Sequence, residues 1–459
     1  MNDKTFTRHS IAKETKFNCG DNIFNYNELI DLVDCWHKLF SRLGLKKGDC
    51  IAIYEHQTIE HFAAFVAIAE QGMTYCGLQS NLFNDPDTLF NPAEFGITAV
   101  LIGTDLNKIA PCFWKIMQID IDSVHSETAG IAFQPLCEPG DYLIESMTSG
   151  STGEPKRFCH THKSLMIAAA HSARLFYSTG QRALIYSSFN HVGVVSVNLL
   201  PTMMAGCYII ANRIDSSDRY NFWDLLEKYQ PEICLIFPYT LEFLRNDPRW
   251  ETHRLSFITD VISGGTLIPK EFVTALLDKG IKKIHNVYGL SEALPPLFVN
   301  TIDQENIEHM FDDNGQSPMG LRIPGCNYKV IDNTLYVKTP SFANSNWIQR
   351  RIGRDGFIAT GDIVRKVGDT LYYVGRLDRT ARLYDMLVNL SKFEEDAKKV
   401  VPDIDGCFAT IKNDQLILGI KNFNNENTSR LLLHYPNIKV TSLEELKGLD
   451  QIKPITVVR

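Results

Sequence analysis

The segment with the clearest chemical character is a short run of hydroxyl-bearing and glycine residues that ends in a lysine. It follows an apolar stretch that begins at Tyr142, which predicts a loop at the end of a strand. Glycines let backbone N–H groups approach phosphate oxygens, hydroxyls donate hydrogen bonds, and the lysine adds a positive charge. The spacing differs from the GxxxxGK[ST] phosphate loop, and a flexible surface turn is the alternative interpretation. The candidate phosphate-binding residues are Thr148, Ser149, Gly150, Ser151, Thr152, Gly153 and Lys156.

Cysteine and histidine spacing does not indicate a metal site. None of the eleven cysteines forms a CxxC pair, and the histidines form no HExxH motif. His160 and His162 could share one face of a strand, but no second pair of ligands lies near them in the sequence. We therefore expect free, reduced thiols and no zinc site.

Charge and hydropathy narrow the choice of partners. The net charge of −8 offers no broad basic field for a nucleic-acid backbone. Residues 1–17 lack the apolar core of a secretory signal, and polar residues and a proline interrupt the apolar stretch 192–210. We expect no nucleic-acid partner, no membrane partner and a cytoplasmic location.

Alternating helices and strands would carry the candidate residues. Apolar positions recur every three or four residues over 26–43, which predicts an amphipathic helix that ends at Gly44. Short apolar runs separated by helical patterns predict parallel or mixed sheets covered by helices. The chain is also too long for one core. The predicted strands are 50–54, 183–187, 207–211, 233–237, 257–262 and 283–287, followed by a hairpin at 363–366 and 370–374.

These patterns predict an α/β protein of two domains. The first, over 1–376, would be a large domain of mixed sheets flanked by helices. The second, over 377–459, would be a small, mobile α+β domain. The polar turn at 376–378 separates the two patterns and is the predicted boundary.

Four ordered motifs resemble signatures of the adenylate-forming superfamily, which comprises acyl-CoA synthetases, peptide-synthetase adenylation domains and beetle luciferases. TSGSTGEPK at 148–156 resembles its phosphate-binding signature. HNVYGLSE at 285–292 resembles its NxYGxTE segment, with Ser291 at the usual threonine position. TGD at 360–362 and GRLD at 375–378 resemble two further motifs. The resemblance covers roughly residues 20–380 and implies an enzyme that binds ATP and activates a carboxylic acid.

The resemblance implies a nucleotide-binding role for each motif. The amide of Asn286 would recognise the adenine edge, and Tyr288 would stack on the base. Glu292 would be catalytic and would coordinate Mg²⁺ together with phosphate oxygens. Asp362 would accept hydrogen bonds from the ribose hydroxyls, and Arg376 would contact the nucleotide. The structural alternatives are a core aromatic at Tyr288 and a β-turn aspartate at Asp362.

The resemblance also implies a hinge and an acyl pocket. Asp378 matches the hinge about which the small domain would swing, although a passive linker has the same composition. His191 would act as a gate that steers the carboxylate or packs on the acyl chain, or would be a structural histidine at a strand end. Gly264 and Gly265 would form one pocket wall and Gly289 the other. An aromatic or medium-length acid fits this pocket, and residues 188–192 contain no aspartate for an amino-acid ammonium group.

The last residues depart from the family pattern. The glycine of the family's KxxG motif, which approaches pantetheine, has no counterpart in RLYD at 382–385. KPITVVR at 453–459 matches only the beginning of the family's PxTxxGK motif, whose lysine stabilises charge during adenylation. We expect a shortened, divergent C-terminal domain in which Lys453 or Arg459 replaces that lysine, or a slow first half-reaction.

The leading hypothesis is an ATP- and Mg²⁺-dependent acid–thiol ligase. It would form an acyl-AMP and then transfer the acyl group to a pantetheine thiol of CoA or of an acyl carrier protein. The alternative is a degenerate homologue that binds nucleotide or acyl-AMP as a scaffold or catalyses part of the reaction. A dinucleotide oxidoreductase is disfavoured because no GxGxxG motif follows an N-terminal strand.

Overall fold

The structure is a computed structural model. It describes residues 5–53, 58–77, 91–103, 111–128, 133–148, 156–187, 189, 191–211, 222–265, 268–312, 315–344, 346–377, 380–383, 386–404, 406–412, 415–421, 423–443 and 446. Contacts divide the chain into two compact units. The first unit contains Met1–Asn327 and Lys338–Ile358, and the second contains Tyr328–Val337 and Ala359–Arg459.

The strands are short and follow one another along the whole chain. They are β1 Lys16–Cys19, β2 Asn22–Asn25, β3 Cys50–Ile53, β4 Thr74–Gly77, β5 Ile97–Ile102, β6 Met117–Asp120, β7 Tyr142–Thr148, β8 Lys156–Thr161, β9 Arg182–Ile185, β10 Tyr208–Ala211, β11 Ile233–Leu235, β12 Asp260–Gly264, β13 Lys283–Tyr288, β14 Phe298–Asp303, β15 Leu321–Arg322, β16 Asn327–Ile331, β17 Thr334–Lys338, β18 Ile358–Val367, β19 Thr370–Arg376, β20 Thr380–Leu383, β21 Met386–Asn389, β22 Cys407–Lys412, β23 Gln415–Ile420 and β24 Lys439–Ser442.

The helices alternate with these strands in the first unit and flank the last sheet in the second. They are α1 Tyr26–Arg42, α2 Ile59–Glu70, α3 His162–Phe176, α4 Val192–Val194, α5 Leu200–Ala205, α6 Phe222–Tyr229, α7 Pro238–Asn246, α8 Arg249–Thr252, α9 Lys270–Asp278, α10 Asn346–Gln349, α11 Leu390–Val400 and α12 Asn425–His434. A π-helical turn, Val195–Leu199, joins α4 to α5. No helix among the described residues combines the length and the apolar character needed to cross a bilayer.

Two mixed sheets form the first unit. One has nine strands in the order β15-β14-β13-β12-β11-β9-β10-β1-β2, and the other has six in the order β6-β5-β3-β4-β7-β8. Strand β9 shows why the strands are continuously apolar: Leu184 packs into one buried cluster, and Ala183 and Ile185 pack into another. Because successive side chains point to opposite faces, apolar clusters cover both faces of the nine-stranded sheet. The predicted α/β class is confirmed.

The amphipathic helix predicted over 26–43 is α1. Its N-cap, Asn25, accepts hydrogen bonds from the backbone N–H groups of Asn27 and Glu28. The chain leaves the helix at Gly44, whose φ of +77° is readily adopted by glycine. The apolar residues of the predicted stripe that are buried are Leu29, Val33, Trp36, Leu39 and Phe40.

One predicted strand begins later than expected. The apolar run 257–262 becomes a strand only from Asp260, because Ile258 N donates to Leu255 O in a turn. Leu255 and Ile258 are nevertheless buried in the same apolar cluster. A buried turn and a strand therefore look alike in the sequence.

The second unit is α+β, as predicted. Its strands form a sheet β16-β17-β18-β19, a hairpin β20-β21 and a sheet β22-β23-β24. Ala397 of α11, Leu418 of β23 and Leu431 of α12 share one buried cluster. The unit contains Tyr328–Val337 as well as Ala359–Arg459, because β16, β17, β18 and β19 are hydrogen-bonded to one another in one sheet. The division into domains 1–376 and 377–459 stays a prediction.

Candidate active site

The carboxyl ends of the parallel strands β12 and β13 bring several predicted residues together. Ser263 pairs with Asn286, and Gly264 pairs with Val287. A Cβ atom on Gly264 would lie 2.3 Å from the Val287 carbonyl oxygen, so a side chain there would force the strands apart. The next residue, Gly265, has a φ of +75° and is exposed. The two glycines thus end β12 at the sheet edge where open α/β sheets bind ligands.

A row of polar side chains crosses β12, β13 and β14 at one level. Asn286 lies between Ser263 and Asn300 in the strand register, and cross-strand neighbours point to the same face. The amide nitrogen of Asn286 donates to Ser317 Oγ at 3.3 Å. Ser263 Oγ and Asn300 Nδ2 are buried without a hydrogen-bond partner within the described ranges. The row therefore has unused hydrogen-bonding capacity beside Asn286.

Tyr288 ends strand β13 next to a tightly packed turn. Its ring meets the edge of the Phe298 ring at an interplanar angle of 68°, with 5.9 Å between centroids. A Cβ atom on Gly289 would lie 2.3 Å from Pro295 Cβ, and Leu297 N donates to Tyr288 O at 2.8 Å. The turn that contains Ser291 and Glu292 is therefore held close to the half-buried Tyr288 ring.

The backbone of Ser291 and Glu292 is hydrogen-bonded from two directions. His160 Nε2 donates to the Ser291 carbonyl at 2.8 Å, and Ala343 N donates to the Glu292 carbonyl at 2.8 Å. The Glu292 side chain is partly exposed, and its carboxylate forms no ion pair or hydrogen bond with any other described residue. The turn thus presents a carboxylate that is not neutralised by a neighbouring cation in this part of the protein.

The candidate phosphate loop connects the two strands of a hairpin. Strands β7 and β8 are antiparallel, and Thr148 pairs with Lys156 at the end next to the loop. The backbones of Thr148 and Lys156, at the two ends of the loop, are therefore cross-strand neighbours. The predicted phosphate-binding residues Ser149, Gly150, Ser151, Thr152 and Gly153 lie outside the described residues.

An ion pair also connects strands β7 and β8. Arg157 Nη2 of β8 donates to Glu145 Oε2 of β7 at 2.6 Å, and the Glu145 carboxylate is buried. Burial raises the pKa of Glu145, and the hydrogen bond from Arg157 opposes this rise. The pair therefore adds a side-chain contact between the two strands that precede and follow the phosphate motif.

His191 lies at the start of helix α4, where its carbonyl accepts a hydrogen bond from Val194 N at 2.8 Å. The residue is exposed overall, and partial burial of its imidazole lowers the pKa of His191. The same segment contacts the turn after Glu292. A Cβ atom on Gly193 would lie 3.3 Å from Pro295 Cγ, and Ser196 Oγ donates to Pro295 O at 2.8 Å. The structure thus brings the His191 segment to the turn that follows Glu292.

The two predicted nucleotide contacts of the second unit form an ion pair. Asp362 and Arg376 are cross-strand partners in β18 and β19, with 3.1 Å between Oδ1 and Nη1. Arg376 Nη1 also donates to the Thr360 carbonyl at 3.2 Å, and Asp362 N donates to Thr360 Oγ1 at 3.0 Å. The predicted hinge Asp378 and the predicted catalytic Lys453 lie outside the described residues.

The possible His160–His162 pair is not formed. Strand β8 ends at Thr161, so His160 lies on the strand and His162 begins helix α3, where its Nδ1 accepts a hydrogen bond from Phe6 N at 3.0 Å. Burial lowers the pKa of each histidine to about 4, so both are neutral near pH 7. Within the described residues, no group of three or more His, Cys, Asp or Glu is arranged to hold a metal ion.

Sequence reasoning missed three relationships within the site. It did not connect His160 with Ser291, nor did it place Ser263 and Asn300 beside Asn286. These relationships depend on strand register and on contacts between distant segments. No local signal singles out Asn300, because its strand also carries Thr301 and Asp303.

The chain is similar to known AMP-binding enzymes and CoA ligases. A family model described as AMP-binding enzyme matches residues 7–340. An indoleacetate–CoA ligase of Aromatoleum aromaticum is 23% identical over 385 residues, which cover 76% of this chain and 72% of that protein. A feruloyl-CoA synthase of Amycolatopsis is 24% identical over 262 residues, and the match spans 54% of this chain and about half (51%) of the synthase.

Solved structures show the same fold at low identity. McyG A-PCP complexed with phenylalanyl-adenylate has a TM-score of 0.80 and 16% identity, covering 97% of this chain and 92% of that one. O-succinylbenzoate coenzyme A synthetase from Bacillus subtilis, in complex with ATP and magnesium ion, has a TM-score of 0.77 and 18% identity, covering 95% and 94%. Together with the family match, these likenesses show that the chain belongs to the AMP-binding enzyme family of the adenylate-forming superfamily.

Proposed function

We propose that this protein is an ATP-dependent acid–thiol ligase. It activates an aromatic or medium-chain carboxylic acid as an acyl-AMP and transfers the acyl group to a pantetheine thiol of CoA or of an acyl carrier protein. The observation that carries the proposal is the junction at which His160 of β8 is hydrogen-bonded to the turn that presents Glu292. This junction connects the strand after the phosphate motif with the backbone of the turn that carries Glu292.

The nucleobase is proposed to bind along the polar row. Asn286 would read the adenine edge, and the buried Ser263 Oγ and Asn300 Nδ2 lie beside it with no partner among the described residues. Tyr288 follows Asn286 by two positions and therefore lies on the same face of the sheet. Gly264, Gly265, Gly289 and Ser291 would line the approach to this face.

The triphosphate and Mg²⁺ are proposed to lie between the phosphate loop and Glu292. A partly exposed carboxylate without an ion-pair partner in the described chain suits a hard, oxygen-seeking cation. When bound, Mg²⁺ would neutralise phosphate charge. Lys156 and Thr148 would contribute to the same neutralisation and to the positioning that phosphoryl chemistry needs. The described geometry fixes the backbone of these two residues only.

The remaining roles concern the second unit and the acid. Asp362 is proposed to hold the ribose hydroxyls and Arg376 the nucleotide, with Asp378 as the hinge and Lys453 as the charge that assists adenylation. His191 would gate the acid. The names of the similar proteins, an indoleacetate–CoA ligase and a feruloyl-CoA synthase, support an aromatic acid as substrate and CoA as acceptor.

All eleven cysteines are free thiols, which supports a reducing compartment such as the cytoplasm.

A pyrophosphate-release screen tests this function. The protein would be incubated with ATP, Mg²⁺ and a panel of aromatic, medium-chain and amino acids, each with CoA or with a holo carrier protein. We expect release with an aromatic or medium-chain acid, and thioester only when a thiol acceptor is present. MgATP binding without pyrophosphate release from any acid would instead support the scaffold alternative.

A further inference from the structure

His160 is a fully buried side chain with a defined hydrogen-bonding state. Its Nε2 lies 2.8 Å from the Ser291 carbonyl oxygen, which can only accept, so the proton must be on Nε2. Its Nδ1 is buried and has no hydrogen-bond partner within the described chain. Burial lowers the pKa of His160 to about 4, which keeps the ring neutral near pH 7. The ring is therefore a single, fixed donor that points at Ser291.

Two backbone hydrogen bonds complete the junction around this contact. Asn344 N donates to the carbonyl of Cys159 at 2.7 Å, and Ala343 N donates to the carbonyl of Glu292 at 2.8 Å. Residues 343–344 thus connect the neighbour of His160 to the neighbour of Ser291. The three hydrogen bonds therefore join β8, the Ser291–Glu292 turn and residues 343–344 into one network.

The carbonyl that His160 holds belongs to the peptide group between Ser291 and Glu292. This group is planar, so a hydrogen bond to its oxygen also restrains the Glu292 nitrogen and Cα atom. We propose that His160 is a positioning residue that sets the direction of the Glu292 carboxylate toward Mg²⁺. This inference rests on the proposed function, because it assigns a supporting residue to the same metal carboxylate.

His162 provides a matched control. It is also fully buried, its pKa is also lowered to about 4 by burial, and it lies two residues further along the chain. Its ring bonds the backbone of Phe6 instead of Ser291. A substitution at His162 therefore reproduces the loss of a buried histidine without changing the hydrogen bond to the Ser291 carbonyl.

The experiment compares full-length wild type with His160→Gln, His160→Asn and His162→Gln. The amide nitrogen of glutamine reaches the position of the histidine Nε2, whereas that of asparagine reaches only the position of Nδ1. ATP binding would be followed by calorimetry at increasing Mg²⁺ concentrations, with the melting temperature of each variant measured in parallel. We expect His160→Asn to raise the Mg²⁺ concentration for half-maximal ATP binding by about tenfold. His160→Gln should stay within about twofold of wild type, and His162→Gln should lower the melting temperature without changing the Mg²⁺ requirement.

An unchanged Mg²⁺ requirement in His160→Asn would overturn the positioning role. An equal rise in His162→Gln would do the same, because the effect would then follow general destabilisation. Both results differ from failure of the proposed function itself, in which wild type would show no Mg²⁺-dependent ATP binding at all.

Discussion

Arg376 Nη1 lies 3.1 Å from Asp362 Oδ1 across strands β18 and β19, and the two partners differ greatly in exposure. The Asp362 side chain is 3% exposed, whereas that of Arg376 is 41% exposed. Removing the arginine would leave a buried carboxylate without this cation. Removing the aspartate charge would leave an arginine that water can still solvate.

We therefore expect Arg376→Ala to lower the free energy of unfolding by about 1–3 kcal/mol more than Asp362→Asn does. Urea unfolding of the two variants at pH 7 measures this difference. Equal losses would contradict the idea that the buried aspartate depends on the arginine more than the exposed arginine depends on the aspartate.

Glu292→Gln should leave the fold intact and reduce acid activation by on the order of 10²–10³-fold. The fold should survive because Ala343 and His160 bind backbone carbonyls of this turn rather than the Glu292 carboxylate. Pyrophosphate release and the melting temperature would be measured together. Activity within twofold of wild type would show that Glu292 does not anchor the cation.

Gly264 and Gly265 give a contrast between crowding and backbone strain. Gly264→Ala places a methyl group 2.3 Å from the Val287 carbonyl oxygen and should cost about 1–3 kcal/mol or more. Gly265→Ala meets open space but has a φ of +75°, so its cost should be closer to 1 kcal/mol. Thermal unfolding of both variants checks the order, and a larger loss at 265 would contradict the strand geometry.

The buried histidines predict acid sensitivity. His162 has a pKa of about 4 in the folded protein, against an ordinary value of 6.5. Between these values the unfolded chain binds a proton that the folded chain does not, so stability falls as the pH is lowered through this interval. His162→Gln should therefore lose about 2 kcal/mol less than wild type between pH 7 and pH 5. Parallel urea titrations at the two pH values test this, and identical losses would show that His162 is not buried and neutral.

Local patterns were sufficient to predict much of the fold. The spacing of Leu29, Val33 and Trp36 predicted α1, and short apolar runs predicted β9 and β13, because burial on both faces leaves a recognisable composition. The boundary of the second unit was harder. The predicted hairpin at 363–366 and 370–374 falls within β18 and β19, but composition does not reveal that β16 and β17 join them in one sheet.

The candidate site was predictable where a motif is continuous. Asn286, Tyr288 and Glu292 lie on one strand and the turn after it, so their proximity follows from the sequence. The hydrogen bond from His160 to Ser291 joins segments of two different sheets, and the pairing of Asn286 with Asn300 depends on strand register. Such contacts arise only after the sheets assemble, and no local pattern encodes them.

Acid-dependent exchange of labelled pyrophosphate into ATP tests the central claim most directly, because it reports reversible acyl-AMP formation without any thiol acceptor. With Mg²⁺ and an aromatic or medium-chain acid, we expect wild-type protein to incorporate label, and Glu292→Gln to lose at least 99% of that rate, on the order of the effect of removing one preorganised charge. Tight MgATP binding with no acid-dependent exchange across the whole panel would contradict the account.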